Sequence, residues 1–551
     1  MPKQLKIVMA QVNLLVGDIQ ANTTKVIEGA LEAKRHYGAD IIVYPELTLT
    51  GYPPEDLLLR PSLQLRIDKA LQRIKDAELD IHVVIGFPLF EDGTLFNALA
   101  LIKGGELLHI YRKQHLPNYQ VFDERRYFTP GVEVVVAEIE GVRVALTICE
   151  DMWSEGPTAQ AAQAKAELLI NINASPFHRE KMSERLALLR TRARTVKCPI
   201  IYTNLVGGQD ELVFDGSSMA VAANGECRVR APSFQEGFFP VSLVQNSQGA
   251  MEIEELPQQL EPVDGVEESL YKALVLGVKD YAHKNGFKGV VLGLSGGVDS
   301  ALTLAVAVDA LGHDAVKAVM MPFDYTSQLS LDLAQSQATR LAVEYSVIPI
   351  SASFASFEAA LESEFSGYQT DVTEQNIQAR CRGVILMAIS NKTGRLVLTT
   401  GNKSEIAVGY CTLYGDMAGG FDVLKDVSKT MVYRLCAYRN SLETPEAGPV
   451  IPVEVIEREP SAELAPDQID QDNLPPYDVL DAILELYIEK DASAAHIIAQ
   501  GYLEETVRRV LRLVDINEYK RRQSPVGVRL TQRGFGRDRR YPITSGWELG
   551  E

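Results

Sequence analysis

The most informative segment of this chain is Val290-Val291-Leu292-Gly293-Leu294-Ser295-Gly296-Gly297-Val298-Asp299-Ser300-Ala301. A short apolar run ends in a serine, two glycines, an aspartate and a second serine, and an apolar helical pattern follows from Leu302. This order predicts a strand, a tight turn and the start of a helix. Because glycine lets the backbone approach a ligand closely and a helix N-terminus attracts anions, the turn is predicted to bind phosphate.

The turn lacks the Gly-Lys-Ser/Thr of a Walker loop. It resembles instead the pyrophosphate loop of ATP pyrophosphatases, which cut ATP to AMP and pyrophosphate. The Asp299 carboxylate and a phosphate group are both anionic and repel each other. We therefore predict that Mg²⁺ lies between Asp299 and the phosphates. A second polar cluster, Thr399–Glu405, follows another predicted strand, and Thr400 there is predicted to contact the nucleotide. The same cluster is equally compatible with a capped turn that begins a helix at Ser404.

The length and composition limit what the chain can be. Its 551 residues are too many for one hydrophobic core, so two or more domains are expected. The dispersed cysteines and the absence of a signal-peptide pattern or a long apolar run predict a cytoplasmic protein without a membrane span or a structural zinc. A net charge of −20 argues against nonspecific nucleic-acid binding.

Alternating apolar and amphipathic segments predict an α/β domain on each side of an acidic, proline-interrupted linker. The predicted domains are residues 1–248 and 269–551, with the linker at 249–268. Strands are predicted at Leu5–Gln11, Ile41–Tyr44, His82–Phe87, Val134–Ala137, Val142–Ile148, Leu168–Asn171, Ile200–Asn204, Gly289–Leu294, Val316–Met321, Val347–Ile350 and Leu396–Thr400. Helices are predicted at about Asn22–Tyr37, Ser62–Ala77 and Glu180–Val196 in the first domain.

Three reactive side chains in the first domain follow apolar runs: Glu46, Lys113 and Cys149. Side chains at strand ends face ligands in α/β sheets. A cysteine thiolate can attack an amide carbonyl, a carboxylate can take its proton, and a lysine can stabilise the oxyanion. Each residue alone is more often a buried small side chain or a solvated charge.

Together, these three segments and Asn171-Ile172-Asn173-Ala174-Ser175-Pro176 resemble the nitrilase (carbon–nitrogen hydrolase) superfamily over about residues 3–240. The resemblance implies an αββα sandwich that hydrolyses a C–N bond through a thioester. It makes Glu46 the base, Lys113 the oxyanion partner and Cys149 the nucleophile. The same matching implies that Tyr119, Ser175 and Lys181 hold the substrate.

The end of the chain is basic. From Tyr519 to Thr544 it carries eight lysines and arginines and a single acid, Asp538. For most of these cations, ion pairs with the acidic remainder of the protein are the favoured interpretation. The functional alternative is a basic wall for a phosphate-bearing substrate.

Several segments of the second half resemble the NAD⁺ synthetase family in its long, glutamine-dependent form. They are the 295–300 turn, Asn376–Arg382, Thr399–Glu405, Pro460–Leu464, Leu474–Tyr477 and Tyr519–Gln523. The resemblance implies a Rossmann-like parallel sheet with helices on both faces. It implies that ATP binds to Gly293, Leu294, Ser295, Gly296, Gly297, Val298, Asp299, Ser300 and Thr400, and that deamido-NAD⁺ binds to Asn376, Glu405 and Lys520. Ser524-Pro525-Val526-Gly527 departs from the family pattern, which has two consecutive prolines there.

The resemblance implies a two-step reaction. The first domain would hydrolyse glutamine, and the second would adenylate deamido-NAD⁺ with ATP and Mg²⁺ and let ammonia displace AMP. We also expect a homo-oligomer, and passage of ammonia between the sites through protein, because ammonia released to solvent would be protonated and diluted. The alternatives are another glutamine-dependent amide-forming ligase with this loop and a tRNA-thiolating protein. The first usually has a cysteine next to the initiator methionine, and the second has paired catalytic cysteines, and this chain has neither.

Overall fold

The polypeptide folds into two units, one ending at Asp264 and the other beginning at Gly265. This computed structural model describes residues 3–254, 260–444, 448–460, 463–465, 470–472 and 474–547. No helix in these ranges is long and apolar enough to cross a membrane.

The described residues of the first unit form fifteen strands and four α-helices. The strands are β1 (Gln4–Gln11), β2 (Ile41–Val43), β3 (His82–Glu91), β4 (Thr94–Lys103), β5 (Glu106–Arg112), β6 (Val135–Ile139), β7 (Val142–Ile148), β8 (Leu168–Asn173), β9 (Ile200–Asn204), β10 (Val206–Gln209), β11 (Leu212–Asp215), β12 (Met219–Val221), β13 (Cys227–Arg230), β14 (Gly237–Gln245) and β15 (Met251–Ile253). The helices are α1 (Ile19–Tyr37), α2 (Pro61–Asp76), α3 (Glu155–Gln163) and α4 (Lys181–Val196).

Two sheets form the centre of this unit. One has the order β15-β14-β1-β2-β3-β4-β5 and the other β13-β12-β9-β8-β7-β6, while β10 and β11 form a separate ribbon. Apolar side chains of both sheets, such as Ile7 and Val84 of the first and Leu146 and Ile170 of the second, share one core. Helices α1 and α2 cover the outer face of the first sheet, and α3 and α4 cover that of the second. The predicted αββα sandwich is therefore confirmed.

The predicted strands and helices of this unit occur within a few residues of their expected ends. Eight strands, β4, β5 and β10–β15, and helix α3 were not expected from the pattern. Within the predicted linker 249–268, Met251–Ile253 forms β15 and pairs with β14, residues 255–259 lie outside the described residues, and a helix begins at Val266. The domain boundaries themselves stay a prediction.

The second unit contains five strands and twelve helices among its described residues. The strands are β16 (Val290–Gly293), β17 (Val316–Met320), β18 (Glu344–Val347), β19 (Leu396–Thr399) and β20 (Phe421–Asp422). The helices are α5 (Val266–Lys284), α6 (Val298–Leu311), α7 (Gln328–Arg340), α8 (Ser351–Leu361), α9 (Val372–Thr393), α10 (Lys403–Val408), α11 (Lys429–Ser441), α12 (Val453–Glu457), α13 (Tyr477–Leu484), α14 (Ala494–Ala499), α15 (Glu504–Ile516) and α16 (Glu518–Arg521).

All five strands are parallel, in the order β18-β17-β16-β19-β20. Val291, Val319 and Val397 point to one face, where they pack against α8 and α9. Alternate residues of a strand point to opposite faces, and on the other side α6 packs on β16 and β17. The predicted parallel sheet with helices on both faces is confirmed.

One strand position was wrong. The expected strand Val347–Ile350 lies at Glu344–Val347, and α8 begins directly after Ile350. Strand β18 is at the sheet edge and is half exposed, so it lacks the continuous apolar run of a buried strand. The apolar residues that follow it leave the sheet instead, and Ile350 is fully buried against α8 and α9.

Gly86 in β3 is a position where only glycine fits. A Cβ there would lie 2.3 Å from the Leu47 nitrogen and 2.9 Å from the Glu46 Cα. We expect Gly86→Ala to lower the free energy of unfolding by about 1–3 kcal/mol, because well-packed backbone must shift. Chemical denaturation of the full chain measures the change.

Gly156→Ala is the matched control, because a Cβ at Gly156 meets nothing closer than 3.7 Å and alanine favours the helix in which it lies. Equal stability of the two variants would contradict the close approach at Gly86.

Candidate active sites

Cys149 lies on a sharp turn between β7 and a single helical turn, Cys149–Met152. Its φ of 44° is in the left-handed region, which a side chain with a Cβ adopts at a cost. The turn is held by the buried carboxylate of Asp151. Asp151 accepts hydrogen bonds from the backbone N–H groups of Ile148, Gln114 and His115 and from the hydroxyl of Tyr111, at 2.7–3.0 Å. Asp151 thereby fastens the Cys149 turn to the loop that carries Lys113.

Lys113 is buried between two carboxylates. Its ammonium donates to Glu46 Oε1 at 2.6 Å and to both oxygens of Glu124 at 2.9 Å. Glu46 also accepts from Asn97 at 2.7 Å and from the Ala174 N–H at 3.1 Å. These three hydrogen bonds fix the position of the Glu46 carboxylate.

Burial sets the protonation of this cluster. It raises the pKa of the Cys149 thiol well above its usual value, and Glu46 raises it further while Lys113 opposes the shift. It also raises the pKa of Glu124 to about 7, against the opposing charge of Lys113. Burial alone would lower the pKa of Lys113, but Glu124 and Glu46 outweigh it and raise that pKa. At neutral pH the structure therefore holds a neutral thiol beside a cationic lysine.

The three predicted substrate residues come from separate segments of the first unit. The Tyr119 hydroxyl donates to the carboxylate of Glu150 at 3.0 Å. Lys181 is the first residue of α4 and lies over the ring of Trp153, 4.1 Å from its centroid. A thiolate at Cys149 would interact with both Tyr119 and Lys181, so these two side chains lie near the sulfur. Ser175 follows β8 and is buried.

In the second unit, a cavity of about 540 Å³ lies at the carboxyl ends of the strands. All predicted ATP-binding residues line it except Gly296, and so do all three predicted deamido-NAD⁺-binding residues. Gly296 has a φ of 81°, and a Cβ there would lie 2.5 Å from the Ser330 carbonyl oxygen. Only glycine fits this position of the loop between β16 and α6.

Asp299 is held by two neighbours. It accepts from Lys429 Nζ at 2.6 Å and from Asn402 Nδ2 at 2.8 Å. Lys429 also donates to Glu405 at 3.0 Å. Burial raises the pKa of Glu405 to about 8, against the opposing charge of Lys429, and Asp299 and Asp470 add to the rise. A buried ammonium thus lies among three carboxylates at the edge of the cavity.

The helix after β19 begins one residue earlier than the alternative interpretation had it. Its N-cap is Asn402, whose side chain accepts from the Glu405 N–H at 3.0 Å, and the helix starts at Lys403. Through its hydrogen bond to Asp299, Asn402 therefore connects the N-cap of α10 to the loop between β16 and α6. The Thr399–Glu405 segment thus both caps a helix and, at Thr400, lines the cavity.

The other predicted residues of the cavity are fixed by the segment after α10. Asn376 Oδ1 accepts from the hydroxyl of Thr412 at 2.9 Å. Lys520 donates to the carbonyl oxygens of Gly409 and Cys411 at 2.7 and 2.9 Å. Since carbonyls are its partners here, the Lys520 charge is available to an anion in the cavity. Ser461 and Ala462, in a motif that carried the resemblance, lie outside the described residues.

The rest of the basic tail is mostly paired. Arg521 and Arg539 contact Glu518, Arg529 contacts Asp538, and Arg533 contacts Asp491. Of the tail cations named in the sequence, Lys520 is the one that lines the cavity in the described residues. The ion-pair interpretation is therefore correct for these arginines. They do not form a continuous basic wall around the cavity.

The sequence reasoning missed Glu124, Asp151, Lys429 and Arg382. Glu124 and Asp151 carry no pattern that separates them from exposed acids. Lys429 had a signal, because a lysine in the first turn of a helix opposes the helix dipole. Arg382 lies on α9, donates to the Met321 carbonyl at 3.0 Å and lines the cavity. Its position on the same predicted helix as Asn376 did not identify it as a cavity residue.

The residues present fit Mg²⁺ in a limited way. The described residues contain no group of three or more His, Cys, Asp or Glu side chains suited to a metal ion. Mg²⁺ usually takes one or two carboxylates and completes its shell with phosphates and water. Asp299 and Glu405 supply such carboxylates, and Lys429 shares both of them.

Comparison with known proteins agrees with both units. Residues 6–251 match the carbon-nitrogen hydrolase family, and residues 270–524 match the NAD synthase family. A solved glutamine-dependent NAD⁺ synthetase from Acinetobacter baumannii, in complex with adenosine diphosphate, is 46% identical with a TM-score of 0.80 and 100% coverage of both chains. One from Cytophaga hutchinsonii shares the fold, with a TM-score of 0.83 at 22% identity, over 99% of this chain and 98% of that chain.

Curated relatives extend over the whole chain. The glutamine-dependent NAD(+) synthetase of Acinetobacter baylyi is 49% identical over 99% of both chains. That of Xanthomonas campestris is 48% identical over 98% of both chains. Since the similarity spans both units at this identity, the chain belongs to the glutamine-dependent NAD(+) synthetase family.

Proposed function

We propose that this protein converts deamido-NAD⁺, ATP and glutamine into NAD⁺, AMP, pyrophosphate and glutamate. The observation that carries the proposal is the full-length similarity to relatives of that name, which covers both units. We assign glutamine hydrolysis to residues 1–248 and the synthetase reaction to residues 269–551. The other two functions considered from the sequence are not favoured by any of these relatives.

In the first site, Cys149 is the nucleophile and Glu46 the base. Because the resting thiol is neutral, Glu46 takes its proton as sulfur attacks the amide carbonyl of glutamine. The Lys113 ammonium stabilises the oxyanion of the tetrahedral intermediate. The proton on Glu46 then passes to the leaving nitrogen, ammonia departs and a thioester remains. Glu46 next activates water, which releases glutamate and returns the thiol.

Charged and polar side chains near Cys149 are suited to bind the α-carboxylate and the α-ammonium of free glutamine. Lys181 and the Ser175 hydroxyl are suited to its α-carboxylate, because both can donate to an anion. The Glu150 carboxylate, which the Tyr119 hydroxyl holds, is suited to the α-ammonium. An amide without these groups would then bind weakly.

In the second site, the loop from Gly293 to Ser300 and Thr400 bind ATP. The N–H groups at the start of α6 and the Lys429 ammonium face the phosphates. Asn376, Glu405 and Lys520 bind deamido-NAD⁺, whose carboxylate oxygen attacks the α-phosphorus and displaces pyrophosphate. Asp299 and Glu405 would hold a bound Mg²⁺, which supplies neutralisation of the triphosphate charge.

Ammonia then attacks the acyl carbon of the adenylate, and AMP leaves with the former carboxylate oxygen. Adenylation matters because a free carboxylate is a poor electrophile. Transfer of ammonia without release to solvent, a homo-oligomeric state, a cytoplasmic location and the lack of a nucleic-acid partner all stay predictions.

Cys149→Ala tests the first site. We expect glutamine hydrolysis to fall by about a thousandfold or more, because the nucleophile is gone, while NAD⁺ formation from ammonium persists. The measurement is NAD⁺ formed with either nitrogen donor. Cys198→Ala, a buried cysteine away from this cluster, is the control. Normal glutamine-dependent synthesis by Cys149→Ala would refute the assignment.

Asp299→Ala tests the second site. Since both nitrogen donors need the adenylate, we expect NAD⁺ formation to fall at least about tenfold with either one. Glutamine hydrolysis measured alone should continue. Asp332→Ala, at an exposed position on α7, serves as the control. If ammonium-dependent turnover stayed normal, Asp299 would have a structural role only.

Lys520→Ala separates the two nucleotide subsites. Loss of a charge-assisted hydrogen bond is expected to raise the KM for deamido-NAD⁺ roughly tenfold to a hundredfold, with a much smaller change in the KM for ATP. Steady-state kinetics with ammonium as donor gives both constants. Arg540→Ala, an exposed tail arginine that contacts only a carbonyl among the described residues, should leave both unchanged. An unaltered KM for deamido-NAD⁺ in Lys520→Ala would assign Lys520 to the surface.

A further inference from the structure

The Ser175 hydroxyl has an arginine as its partner. Arg185 Nε donates to Ser175 Oγ at 3.1 Å, and Arg185 Nη2 donates to the Ser175 carbonyl oxygen at 2.6 Å and to that of Pro176 at 3.3 Å. The Ser175 N–H in turn donates to Asn204 Oδ1 at 2.9 Å. One guanidinium thus contacts both the side chain and the backbone of the serine.

Arg185 itself is immobilised. Its side chain is fully buried on α4, and its Nη1 donates to both oxygens of Asp215, at 2.7 and 2.9 Å. Asp215 ends β11 and is buried as well. Asp215 holds Nη1 and the two carbonyl oxygens hold Nη2 of the planar guanidinium, so the direction of the Nε–H toward Ser175 is fixed too.

This contact determines what Ser175 can do. A hydroxyl has one proton to donate and two acceptor positions. An arginine can only donate, so Ser175 Oγ is the acceptor in this pair and its own proton must point elsewhere. The buried Tyr202 hydroxyl also lies beside Ser175 and interacts with its side chain, but no hydrogen bond of normal geometry joins the Tyr202 oxygen to a described residue.

We propose that Arg185 is a positioning residue that turns the Ser175 hydroxyl into a donor toward the α-carboxylate of bound glutamine. Lys181, one helical turn before Arg185 on α4, brings a positive charge to the same place. The inference rests on the proposed glutaminase function, since it assigns part of that substrate site. Arg185 acts through Ser175 and does not touch glutamine.

Arg185→Lys is the first test. A lysine keeps the charge opposite Asp215, but its single ammonium cannot contact Asp215, Ser175 Oγ and the two carbonyls together. We expect the KM for glutamine to rise about tenfold to a hundredfold, as for a lost hydrogen bond to a charged group, with a smaller change in kcat. Alkylation of Cys149 by iodoacetamide should keep its rate, because that reagent does not use Ser175.

Epistasis shows whether Arg185 acts through Ser175. Ser175→Ala should give a similar rise in KM, and adding Arg185→Lys to it should change KM by less than about twofold, since the two variants remove one interaction. If the rises in KM of the two single variants multiplied in the double variant, Arg185 would act independently of Ser175, and the proposal would be overturned. A parallel fall in alkylation rate would show a purely structural role and would also overturn it.

The double variant Arg185→Met/Asp215→Leu is used if Arg185→Lys does not fold. It replaces the buried ion pair with apolar side chains and leaves no unpaired charge, and the same rise in KM is expected. Tyr202→Phe is the control and should keep the wild-type KM. If Tyr202→Phe raised KM and Arg185→Lys did not, Tyr202 would orient Ser175 and the proposal would be wrong.

Different results would contradict the role of Arg185 and the glutaminase function. Wild-type KM for glutamine in Arg185→Lys, together with an inactive Cys149→Ala, would overturn the role of Arg185 and leave the glutaminase assignment standing. Normal glutamine-dependent synthesis in Cys149→Ala would overturn the glutaminase assignment and the role of Arg185 with it.

Discussion

A charge can be buried in a protein only if opposite charges or hydrogen bonds replace its water, and both units are organised by this constraint at lysine ammonium groups. Lys113 is completely buried between Glu46 and Glu124. Lys429 is buried between Asp299 and Glu405, and Lys403 between Asp426 and Glu489. In each case one of the carboxylates is distant in sequence, 67 residues from Lys113, 130 from Lys429 and 86 from Lys403, so each ammonium fixes the relative position of separate segments of the chain.

The three clusters differ in what lies next to the ammonium. Lys113 adjoins Cys149, the proposed nucleophile, whose thiol burial keeps neutral. Lys429 lines a cavity of about 540 Å³. Lys403 also bonds to Thr531, and Asp426 accepts from the Leu530 and Thr531 N–H groups. The same kind of interaction therefore orders the proposed catalytic cluster, the cavity of the second unit and the irregular C-terminal segment.

The sequence predicted the sandwich, the parallel sheet and the strand ends that carry Glu46, Cys149 and the Gly296 loop, because these depend on local apolar runs and turn residues. It did not predict the hairpin strands, although Asp92-Gly93 between β3 and β4 is a turn signal that such strands often have. Glu124 and Asp151 could not be found, since nothing local distinguishes an acid that a distant lysine or a backbone turn will pair. Lys181, Lys403 and Lys429 each begin a helix, where a cation is unfavourable, and this shared position was a usable signal.

The charges around Lys429 also limit how the proposed ATP site can work. In the protein alone, one ammonium faces Asp299, Glu405 and Asp470, and the pKa of Glu405 is already raised, by burial and by these neighbouring acids. A triphosphate at the loop would add negative charge next to Asp299 and Glu405, which share the Lys429 ammonium. Protonation of Glu405, or a cation shared between the carboxylates and the phosphates, would relieve this repulsion. A divalent cation serves the second route without removing the carboxylates from Lys429, so the requirement for Mg²⁺ that we propose follows from the imbalance of buried charge rather than from a preformed metal cage.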